Sequence, residues 1–306
     1  MLSIIICSRY KVLPELLVKN IEETVNVDYE IIHIDNSDNK YSIFTAYNLG
    51  VIRSKYSYLC FLHEDVFFHK PQWGGKIIAH LQVPNVGVCG LAGRDFLTNV
   101  PTSWRQNMPS VNIIQSDKIG IKRTRRKFKP ANYEYVRRAV VMLDGVMLCA
   151  KRELMESIHF DENLLGFHGY DFDICIQSAL KGFDNYVMYD ILLEHYSRGT
   201  PDATYYRSLI KVFKKWNEQL PIYGYNTTQK VRYNLPKVEL EGLSRLLRKL
   251  VRRGLTTDEI TAEIAYFSLV AKINYRKIRL KTIRIEVYLM KLFNFPVYWA
   301  NRMKIR

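Results

Sequence analysis

What most constrains this chain is the alternation in its first hundred residues. Short runs rich in branched apolar side chains, SIIIC at 3–7, EIIHID at 30–35 and YLCFL at 58–62, are separated by the helically patterned segments PELLVKNIEETV and SIFTAYNLGVIRSK. Pro14 opens the first of these helices and Pro71 another, PQWGGKIIAHL, after which VGVCGLAG reads as a further strand. Strands alternating with helices of this length predict βαβ units and a mostly parallel sheet flanked by helices. On such Rossmann-like sheets, ligands sit at the carboxyl ends of the strands.

The pattern dissolves between residues 93 and 133, a polar stretch with Pro101, Pro109 and the basic run KRTRRKFK. A loop this long inside a compact domain predicts a lid or acceptor-binding loop, or else disorder. Order returns with AVVMLDGVMLCAKRE, two apolar runs hinged at Asp144 and Gly145. In GFHGYDFDICIQSALKGF a polar cluster precedes a helix stopped by Gly182, and YVMYDILLEHYSRG predicts one or two strands ending near His195. Beyond Pro221, LSRLLRKLVRRGL places Leu243, Leu246, Leu247 and Leu250 on one helix face, with Arg245, Arg248, Lys249 and Arg252 on the other. The expected organisation is a domain over 1–220, made of halves at 1–95 and 96–220, followed by a basic helical region at 221–306.

The net charge of +15, from 45 Lys and Arg against 30 Asp and Glu in 306 residues, concentrates in the 122–129 run and the C-terminal third. Such an excess predicts a polyanionic partner. Basic amphipathic helices with Phe295, Tyr298 and Trp299 near the end favour an anionic membrane surface, with a solvated or oligomer-contacting face next and nucleic acid last. The longest apolar segment, 139–150, is interrupted by Asp144 and Gly145, too short to span a bilayer, and the N-terminus lacks a signal-peptide pattern. A cytoplasmic protein, peripheral on the inner face of the membrane, is expected. Cys7, Cys60, Cys89, Cys149 and Cys175 form no C-x-x-C pair and lie in apolar or helical patterns, so they read as buried reduced thiols rather than zinc or redox groups.

The triplet His63-Glu64-Asp65 interrupts the apolar run FLHEDVFF. If the strand continues through it, His63 and Asp65 share a face while Glu64 points elsewhere. A carboxylate beside an imidazole at a strand end can hold a divalent cation against a diphosphate, although a solvated strand end has the same composition. A zinc site from His63 and His69 is excluded, since an extended chain separates them by about 20 Å. No P-loop, G-x-G-x-x-G or Gly-rich nucleotidyltransferase loop follows the first strand.

Taken in order, IIICSR, IDNSD, AYNLG and FLHED, then DGVMLCAKRE, FDENLLGFHGYDFDICIQ and EHYSRG, resemble the GT-A-fold glycosyltransferases, in particular the family 2-like group, over roughly residues 1 to 200. The resemblance implies a nucleoside diphosphate sugar donor, a UDP-sugar favoured, a glycan or lipid-linked acceptor, Mn2+ or Mg2+ as cofactor, and inversion. It puts Asp35 against the base, with Cys7 and Ser8 lining that pocket, Asn48 and Gly50 on the next helix, and Asp144 and Gly145 beside the donor sugar. Tyr47 stands where many members have Arg, leaving Lys55 to meet the diphosphate. FLHED falls on the D-x-D motif: Asp65 matches the metal-binding position, while His63 replaces the first Asp and, with Glu64, is expected at the donor. His195 matches a late metal-binding histidine. YDFD matches the E-D-x-D region, making Asp171 the general base with Asp173 its rival; Tyr170 replaces the usual Glu and, with His168, is expected near the acceptor. The two departures, His63 and Tyr170, also allow a catalytically silent member that binds a sugar nucleotide or an assembly partner.

Overall fold

The computed structural model describes residues 1–102, 110–118, 121–122, 136–197, 201–225, 227, 232 and 234–271. The basic run beyond Lys122, Arg198 and Gly199, and the aromatic segment with Phe295, Tyr298 and Trp299 lie outside the described residues. The chain divides into two compact units: the first comprises 1–97, 103–200 and 222–227, and the second 98–102, 201–221 and 228–306. The helix Ala203–Lys215 therefore groups with the C-terminal unit, and the division falls near 200, whereas the sequence pattern placed it at 220.

The first unit is built on a seven-stranded sheet. The early strands are β1 (Leu2–Ser8), β2 (Tyr29–Asp35), β3 (Tyr58–Leu62), β4 (Val66–Phe68) and β5 (Val86–Gly90). Short strands follow at β6 (Ala92–Arg94), β7 (Phe96–Leu97), β8 (Ser110–Val111), β9 (Ile113–Lys118) and β10 (Ile121–Lys122), so part of the stretch expected as loop is ordered. Then come β11 (Arg137–Val140), β12 (Met142–Leu143), β13 (Met147–Lys151), β14 (Asp184–Met188), β15 (Leu193–His195) and β16 (Ile222–Tyr223). The main sheet runs β11-β14-β5-β13-β3-β1-β2. β2, β1, β3, β5 and β14 point one way, and β13, inserted between β3 and β5, and β11 run against them. A four-stranded sheet, β10-β9-β15-β4, stands beside it.

Helices cover both faces, which is why the central strands read as unbroken apolar runs. Leu2, Ile4 and Ile6 of β1 pack with Leu17 and Ile21 of α1 (Glu15–Thr24) and Ile77 and Leu81 of α3 (Trp73–Gln82). Ile5 points to the other face, against Gly50 of α2 (Ile43–Arg53). There Tyr47 meets Phe61, Phe160 and Tyr170 with ring centroids 5.0, 5.3 and 5.4 Å away. Arg152, at the start of α4 (Arg152–Ser157), holds the C-terminal end of α2: its guanidinium donates to the carbonyls of Val51, Ser54 and Tyr56. Gly182, with φ of 85°, follows α5 (Tyr170–Leu180) in the left-handed conformation expected after a helix end.

In the second unit, Leu243, Leu246, Leu247 and Leu250 of the helix Leu235–Arg252 are buried, so the stripe read as membrane-facing is core, and Arg245, Lys249 and Arg253 face outward. Among the described residues no helix is long and apolar enough to cross a membrane.

A Cβ on Gly50 would lie 2.2 Å from Ile5 Cγ2. Gly50→Ala is therefore expected to destabilise the fold by about 1–3 kcal/mol through overpacking, measured by urea unfolding. An unchanged midpoint would show that α2 can lift off β1 without cost.

Candidate active site

β3 ends at Leu62 and β4 begins at Val66, in a different sheet, so FLHEDVFF is two strands joined by the triplet rather than one strand interrupted by it. Backbone bonds hold both ends of the link: His63 N–H donates to Val146 O at 3.1 Å, and Tyr196 N–H to Asp65 O at 2.8 Å. β4 is anchored by Asn20 of α1, whose side chain bonds both the N–H and the C=O of Phe68. The antiparallel register of β15 on β4 pairs His195 with Val66, which brings it alongside Asp65.

The three side chains go to different partners. Glu64 turns toward β1, accepting from Ser8 Oγ, from Arg9 N–H at 3.1 Å and from Arg9 Nε at 2.7 Å. It thus ties the end of β1 to the link between β3 and β4. Asp65 Oδ1 lies 3.3 Å from His195 Nε2 and 3.9 Å from His63 Nδ1, and the two imidazole rings meet edge to face with centroids 5.4 Å apart. One ligand atom from each of His63, Asp65 and His195 lies within 4.8 Å of the others. Burial acts to raise the Asp65 carboxyl, but the close approach of His195 Nε2 and the charges of His195 and His63 outweigh it and bring it down to about 2. Burial, reinforced by His195, lowers the His63 imidazole to about 4 against the pull of Asp65 and Asp144.

The group is suited to a cation. His195 Nε2 is buried and, despite its nearness to Asp65, makes no hydrogen bond of acceptable geometry. A cation between these atoms would satisfy it, with a carboxylate already ionised and His63 already neutral, as ligands must be. Two imidazole nitrogens and one oxygen suit Mn2+ better than Mg2+, which demands oxygen ligands.

The catalytic candidates line the same strand ends. Asp144 and Gly145 form the turn between β12 and β13, with Val146 N–H donating to Asp144 Oδ1 at 3.2 Å. Tyr170, first residue of α5, contacts both sides: its hydroxyl lies 3.0 Å from Gly145 O and 2.9 Å from His63 Nε2. A Cβ on Gly145 would lie 2.2 Å from that hydroxyl, so the approach requires glycine. Burial, then the charge of Asp144, pushes the Asp171 carboxyl from 3.8 up to about 7, and the amides of Phe172, Asp171 and Gly145 only partly offset this. Asp173 is fully buried and accepts from Gln177 Nε2 at 2.7 Å within the same helix, a structural placement. His168 is half-buried and near enough to His63 for its charge to lower that imidazole.

Other residues named from the sequence divide between this end of the sheet and elsewhere. Ser8 and Asp35 end the paired strands β1 and β2; Asp35 is exposed and, accepting from Ser37 N–H at 2.9 Å, is held below the usual carboxylate range. Burial and then Glu64 push the Cys7 thiol up to about 11, so it presents no negative charge. Asn48 is engaged in holding the segment before α5: its amide donates to Phe160 O and Glu162 Oε1, both at 2.8 Å, and accepts from Phe160 N–H. Lys55 precedes β3, and its N–H bonds Glu30 at the start of β2. That is the amino end of the sheet, so the structure does not bring Lys55 to the group. Sequence reasoning left His63 open between the cation and the donor and did not join it to Tyr170. The signal available was that both positions depart from the pattern of the resembling family.

The glycosyltransferase-like family, family 2 group, matches over residues 3–199, and the chain belongs to it. No curated protein matches it. Among solved structures it aligns with the mannosyltransferase PcManGT from Pyrobaculum calidifontis in complex with GDP-Man and Mn2+, at 12% identity over 96% of this chain and 87% of that one, TM-score 0.49. It also aligns with GalNAc-T7 with UDP, GalNAc and Mn2+, at 11% identity over 89% of this chain, which spans 58% of that one, TM-score 0.50. At such identities the likeness concerns the fold, which is GT-A.

Because Asp171 binds its proton more tightly folded than unfolded, its contribution to stability is complete below about pH 4 and is lost as pH rises through 7. Asp171→Asn should therefore raise the melting temperature of the metal-free protein at pH 8, with the gain shrinking toward pH 4. Equal gains at both pH values in a calorimetric scan would contradict a raised Asp171.

Proposed function

We propose that the protein is a metal-dependent, inverting glycosyltransferase that moves a hexose-type sugar from a nucleoside diphosphate donor to a hydroxyl of a glycan or lipid-linked acceptor. The observation that carries this reading is the convergence of His63, Asp65 and His195 at the carboxyl end of β3, joined through the Tyr170 hydroxyl to the start of α5, where Asp171 has its carboxyl near 7. Asp35, Ser8 and the backbone at Cys7 would receive the nucleoside, and Asp144 with Gly145 the sugar. A divalent ion, Mn2+ in preference to Mg2+, would supply positive charge against the diphosphate when bound. His63, Asp65 and His195 would hold it.

Asp171, as the carboxylate, would take the proton from the acceptor hydroxyl. The freed oxygen forms a bond to the anomeric carbon as the bond from that carbon to the phosphate oxygen breaks, and the nucleoside diphosphate departs with the electron pair. A base matched to neutral pH on the acceptor side accounts for a single displacement with inversion. The rate would rise with pH through about 7 as Asp171 loses its proton.

Attachment to an anionic membrane surface is a subordinate part of the proposal. It rests on outward-facing Arg245, Lys249 and Arg253 and is electrostatic, since the leucines of that helix are buried. Co-sedimentation with anionic vesicles should fall with added salt, and salt-independent binding would contradict it.

Release of nucleoside diphosphate from a panel of UDP-, GDP-, CMP- and TDP-sugars tests the main reading. Activity should require added Mn2+, with weaker support from Mg2+. Asp171→Asn should lower kcat by about 10²–10⁴-fold and Asp65→Ala should abolish the response to Mn2+. Equal rates in the wild type and both variants, unaffected by chelator, would leave the catalytically silent binding protein as the correct reading.

A further inference from the structure

We propose that Tyr170 is a positioning residue that fixes the tautomer of His63, holding the proton on Nε2 so that the Nδ1 lone pair faces Asp65 and His195. This rests on the reading of His63 as a metal ligand given above. The hydrogen bonds open to a buried hydroxyl decide the tautomer. The Tyr170 hydroxyl has one proton, and its near neighbours are Gly145 O at 3.0 Å, His63 Nε2 at 2.9 Å and the Tyr47 side chain, whose hydroxyl can donate its own proton to Tyr170. A carbonyl oxygen only accepts, so that proton belongs to Gly145; otherwise two oxygens would face each other across 3.0 Å with no hydrogen between them. The Tyr170 oxygen is then an acceptor, and His63 must meet it with Nε2–H. A neutral imidazole carries a single N–H, so Nδ1 is bare.

Nδ1 is the nitrogen 3.9 Å from Asp65 Oδ1, on the side of the ring where the Asp65 carboxylate and His195 Nε2 converge. The bare nitrogen therefore looks toward a carboxylate oxygen, an arrangement of two acceptors that a cation between them relieves. Three features of the chain serve this one contact. Gly145 lets the hydroxyl reach the carbonyl, since a Cβ would lie 2.2 Å from Tyr170 Oη. The ring is held on edge by Phe44 and Tyr47, with centroids 6.3 and 5.4 Å away. And the two positions at which the D-x-D and E-D-x-D regions depart from the pattern of the resembling family, His63 and Tyr170, are 107 residues apart in sequence and in direct contact. A histidine at this position needs a group that decides which nitrogen is free, and a tyrosine whose own proton is committed elsewhere provides it.

Two measurements test this on the full chain. The first is the 15N spectrum of the histidine rings in metal-free protein at neutral pH, with His63 assigned from His63→Gln. The expected result is a protonated Nε2 and an unprotonated Nδ1; in Tyr170→Phe, where Nε2–H loses its acceptor, the proton should move toward Nδ1 and Asp65. The second is Mn2+ affinity by electron paramagnetic resonance, expected to weaken about 10–100-fold in Tyr170→Phe. A wild-type His63 protonated on Nδ1 overturns the proposal, and that spectrum decides even if the variant fails to fold. A Tyr170→Phe protein that keeps both the tautomer and the Mn2+ affinity also overturns it. Wild-type protein with the expected tautomer but no Mn2+ binding overturns instead the reading of His63, Asp65 and His195 as a metal site.

Discussion

The active end of this protein depends on how the chain crosses from one sheet to another in three residues. β3 belongs to the seven-stranded sheet and β4 to the four-stranded one, so residues 63–65 cannot continue either ladder. Their side chains are thrown in three directions at the place where a parallel α/β sheet presents its carboxyl ends. His63 goes to Tyr170 at the start of α5, Glu64 to Ser8 and Arg9 at the end of β1, and Asp65 to His195 on β15. Each contact fixes the position of one element that lines the site. The backbone bonds from His63 to Val146 and from Tyr196 to Asp65 make the joint rigid in the direction where the side chains must be precise.

The same joint sets the electrostatics. Two carboxylates are driven in opposite directions: Asp65 falls to about 2 because two imidazoles face it, and Asp171 rises to about 7 because burial and Asp144 oppose its charge. Pairs of acids separated in this way divide the roles of standing anion and proton acceptor. The raised Asp171 costs stability as pH rises through about 7.

The sheet was legible from sequence because its signal is local: runs of branched apolar residues, helices between them, a Pro or Gly at an end. The union of Asp65 with His195, and the place of Asp171 on a helix N-terminus, were legible through motif order. What was not legible depends on contacts between distant segments. Asn48 has the residue type expected of a ligand contact, yet its amide is committed to Phe160 and Glu162. Lys55 was chosen for its charge, but a helix and a turn carry it to the amino end of the sheet. The leucines of Leu235–Arg252 have the spacing of a membrane face and of a core face alike, and only burial distinguishes them. His63 and Tyr170 each read as a loss of a carboxylate, and only the fold brings the two into contact, at 2.9 Å.

The role proposed for the joint between the sheets is to hold a divalent ion for a nucleoside diphosphate. Anomalous diffraction at the manganese edge from crystals grown with Mn2+ and UDP tests it most directly. The account predicts one strong peak ligated by His63 Nδ1, an Asp65 oxygen and His195 Nε2, with the diphosphate completing the shell. A peak that leaves out His63 and His195, or diphosphate bound at these strand ends with no anomalous signal, would contradict it.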